Sequence, residues 1–378
     1  MKKNKSSLDK HPLSPGNLQV TAEDMEKTND AEVGNEIPLG VLSDKTETET
    51  ESTSDEQVSP FPIKSVISRA VDQIEANQAR EDGLSGVPSG YTGIDKVTFG
   101  WQPADLIILA GLPSVGKTTF LLTMARNMAV DYDIPVCIFS QEMLDTQLVM
   151  RIVMSETGLS SETLHGAKKM SQQEWGQLHS GLSRLSTSPL FIEATAGLTV
   201  EELVKKATDM VYEHGVKLIM VDPLQMINGP LNYSRVNREQ EITAICRILK
   251  ETAMKLKTPI IAASQINRLF ESRGGNKRPQ LNDLRESGAI EQIADIIMFI
   301  HRPEFVRTQE EDGFPGETDL IIAKHRNGEV CDVKMRFLSS AVRFVDYNDA
   351  AYSGERASYT DSRMNRMSDP LYDDDPAL

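Results

Sequence analysis

Six short, uninterrupted apolar runs constrain the fold of this 378-residue chain more than any other feature: LIILA (106–110), VCIFS (136–140), LIMVD (218–222), IIAAS (260–264), DIIMFI (295–300) and DLIIA (319–323). A run of five or six residues without polar alternation fits a strand covered on both faces, as in a parallel sheet beneath helices. The stretches 117–130, 200–213 and 235–257 between them are long enough for crossover helices. The pattern therefore predicts an α/β fold with a mainly parallel, doubly wound sheet whose ligand lies beyond the carboxyl ends of the strands. Residues 331–337 and 342–345 read as an antiparallel hairpin at the sheet edge.

Four segments follow along the chain. Residues 1–59 hold 13 acidic and 6 basic side chains, no aromatic residue and the repetitive run Thr46 to Ser54, and are expected to be a disordered acidic arm. In 60–82, Ile63, Ile67, Ala70, Val71 and Ile74 recur with helical spacing, which predicts a linker helix with one apolar stripe. That stripe either folds back on its own domain or docks on a neighbouring subunit. Residues 83–349 are the expected α/β domain, and 350–378, ending in Asp373, Asp374 and Asp375, a second disordered acidic tail.

The net charge of −16 belongs largely to the two ends, at −7 and −3, so it says little about nucleic-acid binding by the middle. No run approaches the roughly 20 apolar residues of a membrane span, and the first residues lack the apolar stretch of a secretory signal. A cytoplasmic protein with no membrane partner is expected. Cys137, Cys246 and Cys331 and the six histidines are scattered, without metal-ligand spacing. A metal would arrive with a ligand.

Directly after the first apolar run stands Gly111-Leu112-Pro113-Ser114-Val115-Gly116-Lys117-Thr118, followed by Thr119 and a helical pattern. Strand, G-x-x-x-x-G-K-[ST] and helix in that order make a phosphate cradle. Gly111, Ser114 and Gly116 bring backbone close to phosphate, Lys117 reaches the β and γ phosphates of ATP, and Thr118 offers its hydroxyl to Mg²⁺. Asp222 ends an apolar run and suits a metal-holding acid. Glu142, just past another run, is open to two readings, a base that polarises water or a helix N-terminal acid. Gln265 is equally open between a γ-phosphate sensor and a loop cap.

Arg285, Glu286 and Gly288 follow a basic, glycine-rich loop with Arg273, Lys277 and Arg278, which suits contacts to a phosphate backbone. Lys324 and Arg326 flank the end of the run 319–323. They either pair with local carboxylates or reach an ATP bound by another subunit.

Six blocks in order, GVPSGYTGIDKVTFGWQPADLIILAGLPSVGKTT, FSQEM, VDPLQMI, ASQINR, LRESGAIEQIAD and IIAKHRNG, resemble the C-terminal motor domain of DnaB-type replicative helicases, a RecA-like P-loop NTPase. The resemblance implies Glu142 as catalytic base, Asp222 as metal-supporting acid and Gln265 as γ-phosphate sensor, with Lys117 and Thr118 at the phosphates and Mg²⁺. It implies Arg326 as an arginine finger and Lys324 as its companion, both acting in trans, and Arg285, Glu286 and Gly288 as part of a loop gripping single-stranded DNA. The segment after Ile63 would be the helix that packs on the adjacent protomer of a homohexamer.

An ATP-dependent helicase acting in replication on single-stranded and forked DNA, 5′ to 3′, is the implied activity. The alternative is a RecA-like switch, scaffold or recombinase-type filament that does not unwind. The acidic arm stands where the family carries a globular collar, which weighs against primase stimulation and leaves the helicase loader open. Pro223, Gln141 and Leu112 depart from the usual tyrosine, leucine and arginine, as in a divergent member belonging to a phage or mobile element.

Overall fold

The structure, a computed structural model, describes residues 62–80, 82–230, 237–266, 278–284, 287–305 and 316–348. The expected arm and tail, and Arg273, Lys277, Arg285 and Glu286, lie outside the described residues.

Helix α1 (Ile63–Gln78) is followed by α2 (Thr92–Thr98), strand β1 (Leu106–Gly111) and α3 (Lys117–Arg126). Then come β2 (Val136–Ser140), α4 (Asp145–Thr157), α5 (Ser161–Leu164), α6 (Gln172–Thr187) and β3 (Leu190–Ala194). Next are α7 (Val200–His214), β4 (Leu218–Asp222), α8 (Arg238–Leu256), β5 (Ile260–Gln265) and α9 (Ser287–Ile293). Strands β6 (Ile296–His301), β7 (Glu317–His325), β8 (Cys331–Leu338) and β9 (Arg343–Asp346) complete the sheet.

Among the described residues, nine strands lie in the order β3-β2-β4-β5-β1-β6-β7-β8-β9. The six from β3 to β6 run parallel, and β7, β8 and β9 are added antiparallel. This is a RecA-like ATPase fold. All six apolar runs are strands, and every residue of β1, β2 and β4 is buried. Side-chain alternation divides the core. Leu106, Ile108 and Ala110 face α7 and α8, while Ile107 and Leu109 face α3, α4 and the edge strands.

Local chemistry sets the helix ends. At the start of α6 the Ser171 hydroxyl accepts from the Glu174 amide (3.2 Å), and the Glu174 carboxylate accepts from the Ser171 amide (2.7 Å). Thr199 and Glu202 repeat that pair for α7, which stops where Gly215 takes a left-handed φ of 66°.

Three differences from the sequence expectation stand out. The helix expected over 117–130 is α-helical only to Arg126 and continues as one π turn, Asn127–Asp131. Strand β3 was not anticipated, because LFIEA carries a glutamate and its burial is only partial throughout. Strand β7 runs past the apolar residues through Lys324 to His325. Helix α1 is present as expected, and none of its residues is buried; Ile63, Ile67, Val71 and Ile74 are exposed.

Candidate functional site

A cleft of about 930 Å³ opens at the carboxyl ends of the parallel strands, between the loop after β1 and helix α4. Lys117, Thr118, Glu142, Asp222 and Gln265 all line it. Residues from four strand tips thus converge, because Gly111 lies opposite Gln265 across β1 and β5, while Ser140 lies opposite Asp222 across β2 and β4. Ser114, Gly116 and Thr119 line the same cleft, and Gly111 sits buried at its base.

The loop into α3 holds an unusual backbone. Gly116 has φ of 108°, which side chains rarely tolerate, and a Cβ there would approach the Phe344 ring to 3.1 Å. Ser114 also has a positive φ, 63°. The turn leads into the amino end of α3, whose free backbone amides suit an anion.

Lys117 is 9% exposed, and its Nζ donates to the carbonyls of Gly111 and Leu112, each at 2.9 Å. Burial pushes the ammonium down from its ordinary 10.5 to about 8, against the pull of Asp222 and Glu142. Asp222 is pushed the other way. Burial raises its carboxyl, with the Thr118 hydroxyl bond and Lys117 opposing. The site thus keeps a cation and an acid poised in low dielectric, where a polyanion is strongly felt. Glu142 is exposed at the cleft wall, one residue past Gln141.

Among the described residues no cluster of three or more His, Cys, Asp or Glu could hold a metal ion alone. Thr118 and Asp222 offer hard oxygen donors in mutual contact, which fits a Mg²⁺ that shares its remaining ligands with phosphate.

The other expected site residues lie elsewhere. Lys324 and Arg326 sit at the opposite end of the strands, beside the amino ends of β1 and β6. His325 pairs with Ile296, which pairs with Ile107 near the start of β1, so the loop after Gly111 is about 13 Å further along the strands at 3.3 Å per residue. Arg326 Nη1 donates to Asp295 Oδ1 at 2.9 Å, and Lys324 Nζ donates to the carbonyls of Glu291 (2.5 Å) and Ala294 (2.6 Å), at the end of α9. Gly288, in the first turn of α9, is exposed. Arg278 pairs with Asp319 and Asp332, so its charge is met by the edge strands.

Sequence reasoning missed Arg151 and Arg302, which also line the cleft. Arg151 is carried by α4, a helix that had not been read from the sequence. Arg302 stacks over Phe337 at 4.1 Å and follows β6, a position that only the strand order brings to the cleft. The departures are visible too. The Asp222–Pro223 peptide is cis, Leu112 supplies a carbonyl to Lys117, and Gln141 is buried with neither side-chain amide atom partnered among the described residues.

Residues 86–346 match the family model described as DnaB-like helicase C terminal domain. The chain belongs to that family. Relatives of the DnaB-like family include the replicative DNA helicase DnaC of Bacillus subtilis (strain 168), 39% identical over 307 residues, covering 81% of this chain and 66% of that protein. The replicative DNA helicase DnaB of Geobacillus stearothermophilus is 38% identical over 284 residues, covering 75% of this chain and 62% of that protein. The chain thus spans less than two thirds of the length of these curated relatives, 66% and 62%. Among solved structures, the ATPase domain of G40P superimposes with a TM-score of 0.70 at 32% identity, covering 77% of this chain and 100% of that one. A DnaB-like replicative helicase described with its interactions with primase gives 0.68 at 31%, covering 77% of this chain and 68% of that one.

Proposed function

We propose that this DnaB-like chain is an ATP-driven DNA helicase motor that moves along single-stranded DNA through the centre of a homohexamer and displaces the other strand of a fork. The carrying observation is that the expected catalytic residues divide between the two ends of the strands. Lys117, Thr118, Glu142, Asp222 and Gln265 surround the cleft at the carboxyl ends of the parallel strands, and Arg326 with Lys324 lies beside their amino ends. Within one chain the two groups lie too far apart to share a nucleotide. Copies placed head to tail bring them together.

In this reading ATP is the substrate. Lys117 exchanges its two carbonyl partners for phosphate oxygens, and the amides of the loop bind the β phosphate. Thr118 and Asp222 would hold Mg²⁺, whose charge offsets that of the phosphates. Glu142 orients a water and accepts its proton as the oxygen bonds to the γ phosphorus and the bond to the β–γ bridging oxygen breaks, leaving ADP and phosphate. Gln265 contacts the γ phosphate and registers its loss. Arg326 of the next copy, with Lys324 beside it, stabilises the charge that spreads over the transferring group.

Arg285, Glu286 and Gly288 form part of a loop that makes sequence-tolerant contacts to the DNA backbone. The exposed stripe of α1 docks on the adjacent subunit. Polarity of 5′ to 3′ and a role in replication are carried over from the resemblance, together with a loading partner still to be assigned; location in the cytoplasm follows the sequence expectation.

The test is strand displacement on forked substrates carrying each overhang polarity, with particle images of the same samples. Unwinding from the 5′ overhang by closed rings is the expected result. ATP hydrolysis without displacement, or open filaments, would refute it.

A further inference from the structure

Three hydrogen bonds converge on Gln225, a residue of the turn after β4 that does not line the nucleotide cleft. Its side-chain Oε1 accepts from the backbone amide of Gln265 at 3.3 Å, and its Nε2 donates to Ser264 Oγ at 2.9 Å. The orientation of the amide follows from chemistry, since a backbone N–H only donates and must face the carbonyl oxygen. Its own backbone carbonyl accepts from Arg238 Nη2 at 2.6 Å.

Each end of this connection bears on function. Ser264 and Gln265 form the tip of β5, directly opposite Ala110 and Gly111 at the base of the phosphate loop. Arg238 opens α8, and its Nη1 pairs with Glu241 at 2.5 Å. Glu241 in turn accepts the amide of Gly229 at 2.8 Å, which closes the turn after β4 against the helix. Ser264 is fully buried, and its hydroxyl is met by Gln225.

We infer that Gln225 is a positioning residue for Gln265: its side-chain amide clamps the tip of β5 so that Gln265 faces the γ phosphate, and its carbonyl ties that tip to the first turn of α8. This rests on the proposed role of Gln265. The clamp holds the backbone amide of Gln265 and the hydroxyl of the preceding Ser264 through one rigid, planar group, so the direction of the Gln265 side chain is set before nucleotide arrives. A group placed in advance loses little entropy on contact, and an ångström of misplacement costs turnover more than binding. Through Arg238 the same clamp makes a shift of the β5 tip felt at the start of α8.

The experiment uses the full chain with ATP, Mg²⁺ and a single-stranded oligonucleotide, and compares kcat and KM with thermal unfolding for each variant. Gln225→Met keeps the length of the side chain and removes both bonds. Its kcat falls roughly 10- to 100-fold with KM for ATP near that of the parent. Gln225→Glu recovers most of that loss, because a carboxylate still accepts from the Gln265 amide and the Ser264 hydroxyl turns to donate. Combining Gln225→Met with Gln265→Ala gives a kcat no lower than Gln265→Ala alone, as expected of one unit.

An unchanged kcat in Gln225→Met, a loss that adds in full to that of Gln265→Ala, or no rescue by glutamate each overturns the inference. If Gln265→Ala alone leaves kcat unchanged, the γ-phosphate role itself fails and the clamp has nothing to position. Should Gln225→Met not fold, Ser264→Ala replaces it. That variant loses kcat several-fold at constant KM, and full activity from it overturns the inference.

Discussion

Arg326 Nη1 lies 2.9 Å from Oδ1 of Asp295, a carboxylate whose side chain is only 4% exposed. The other oxygen of that carboxylate accepts from the Leu106 amide at 2.9 Å and from Lys250 Nζ at 2.5 Å. One acid therefore joins the amino end of β1, helix α8 and the turn that carries the proposed finger. Removing it takes the ion-pair partner from the mostly buried Lys250 and leaves it the Ala104 carbonyl and the neighbouring Asp105. Asp295→Ala is expected to cost about 3 to 5 kcal/mol in denaturant unfolding, against about 1 kcal/mol or less for Arg326→Ala, whose guanidinium is half exposed.

Arg326→Ala should leave the fold and nucleotide binding intact and remove turnover. An arginine finger is worth roughly 10³ to 10⁵ in rate. Steady-state ATPase and binding of a non-hydrolysable analogue, measured on the same preparation, separate the two effects. A variant that turns over at the parent rate would remove Arg326 from the chemistry.

Lys117 gives the nucleotide site a pH dependence of known sign. Its ammonium in the free protein titrates near 8, and phosphate oxygens favour the charged form, so the value rises on binding. Below pH 8 affinity for an ATP analogue is flat with respect to this group. Above it, binding must take up a proton, and Kd climbs toward roughly tenfold per pH unit. Calorimetry in buffers of different ionisation enthalpy reads the proton uptake directly. Folding moves in the opposite direction: the unfolded chain, with lysine at 10.5, holds more protons between pH 8 and 10.5, so this lysine's stability contribution increases over that window.

Helix α1 presents Ile63, Ile67, Val71 and Ile74 to solvent, and no residue of it is buried. The paired change Ile67→Asp and Ile74→Asp is therefore expected to leave the unfolding free energy of a single subunit within about 0.5 kcal/mol. Assembly with nucleotide, followed by sedimentation, should be lost. Intact assembly in this variant would show that the stripe serves another purpose.

Much of the sheet was legible because burial on both faces demands continuous apolar runs, and six of the nine strands have them. The hairpin of β8 and β9 was read from the end of the chain. Strand β3 escaped because an edge strand tolerates Glu193, and α4 because its pattern is broken by polar residues that face the cleft. The phosphate loop was readable from spacing alone, since its chemistry is local. Gln225, Arg151 and Arg302 were not, because their significance comes from strand order, which places distant segments at one tip. The opposite placement of Arg326 is likewise a property of the antiparallel return of β7, not of any residue near it in sequence.

That return has a consequence for mixtures. With the socket at one end of the strands and the plug at the other, the proposed junctions each draw on two copies. An inert copy therefore spoils both junctions it borders, and activity in blended preparations should fall as the square of the intact fraction. Conversely, a copy lacking only its socket can still serve its neighbour with its plug, so two differently crippled chains can restore one another at every junction where their surviving halves meet.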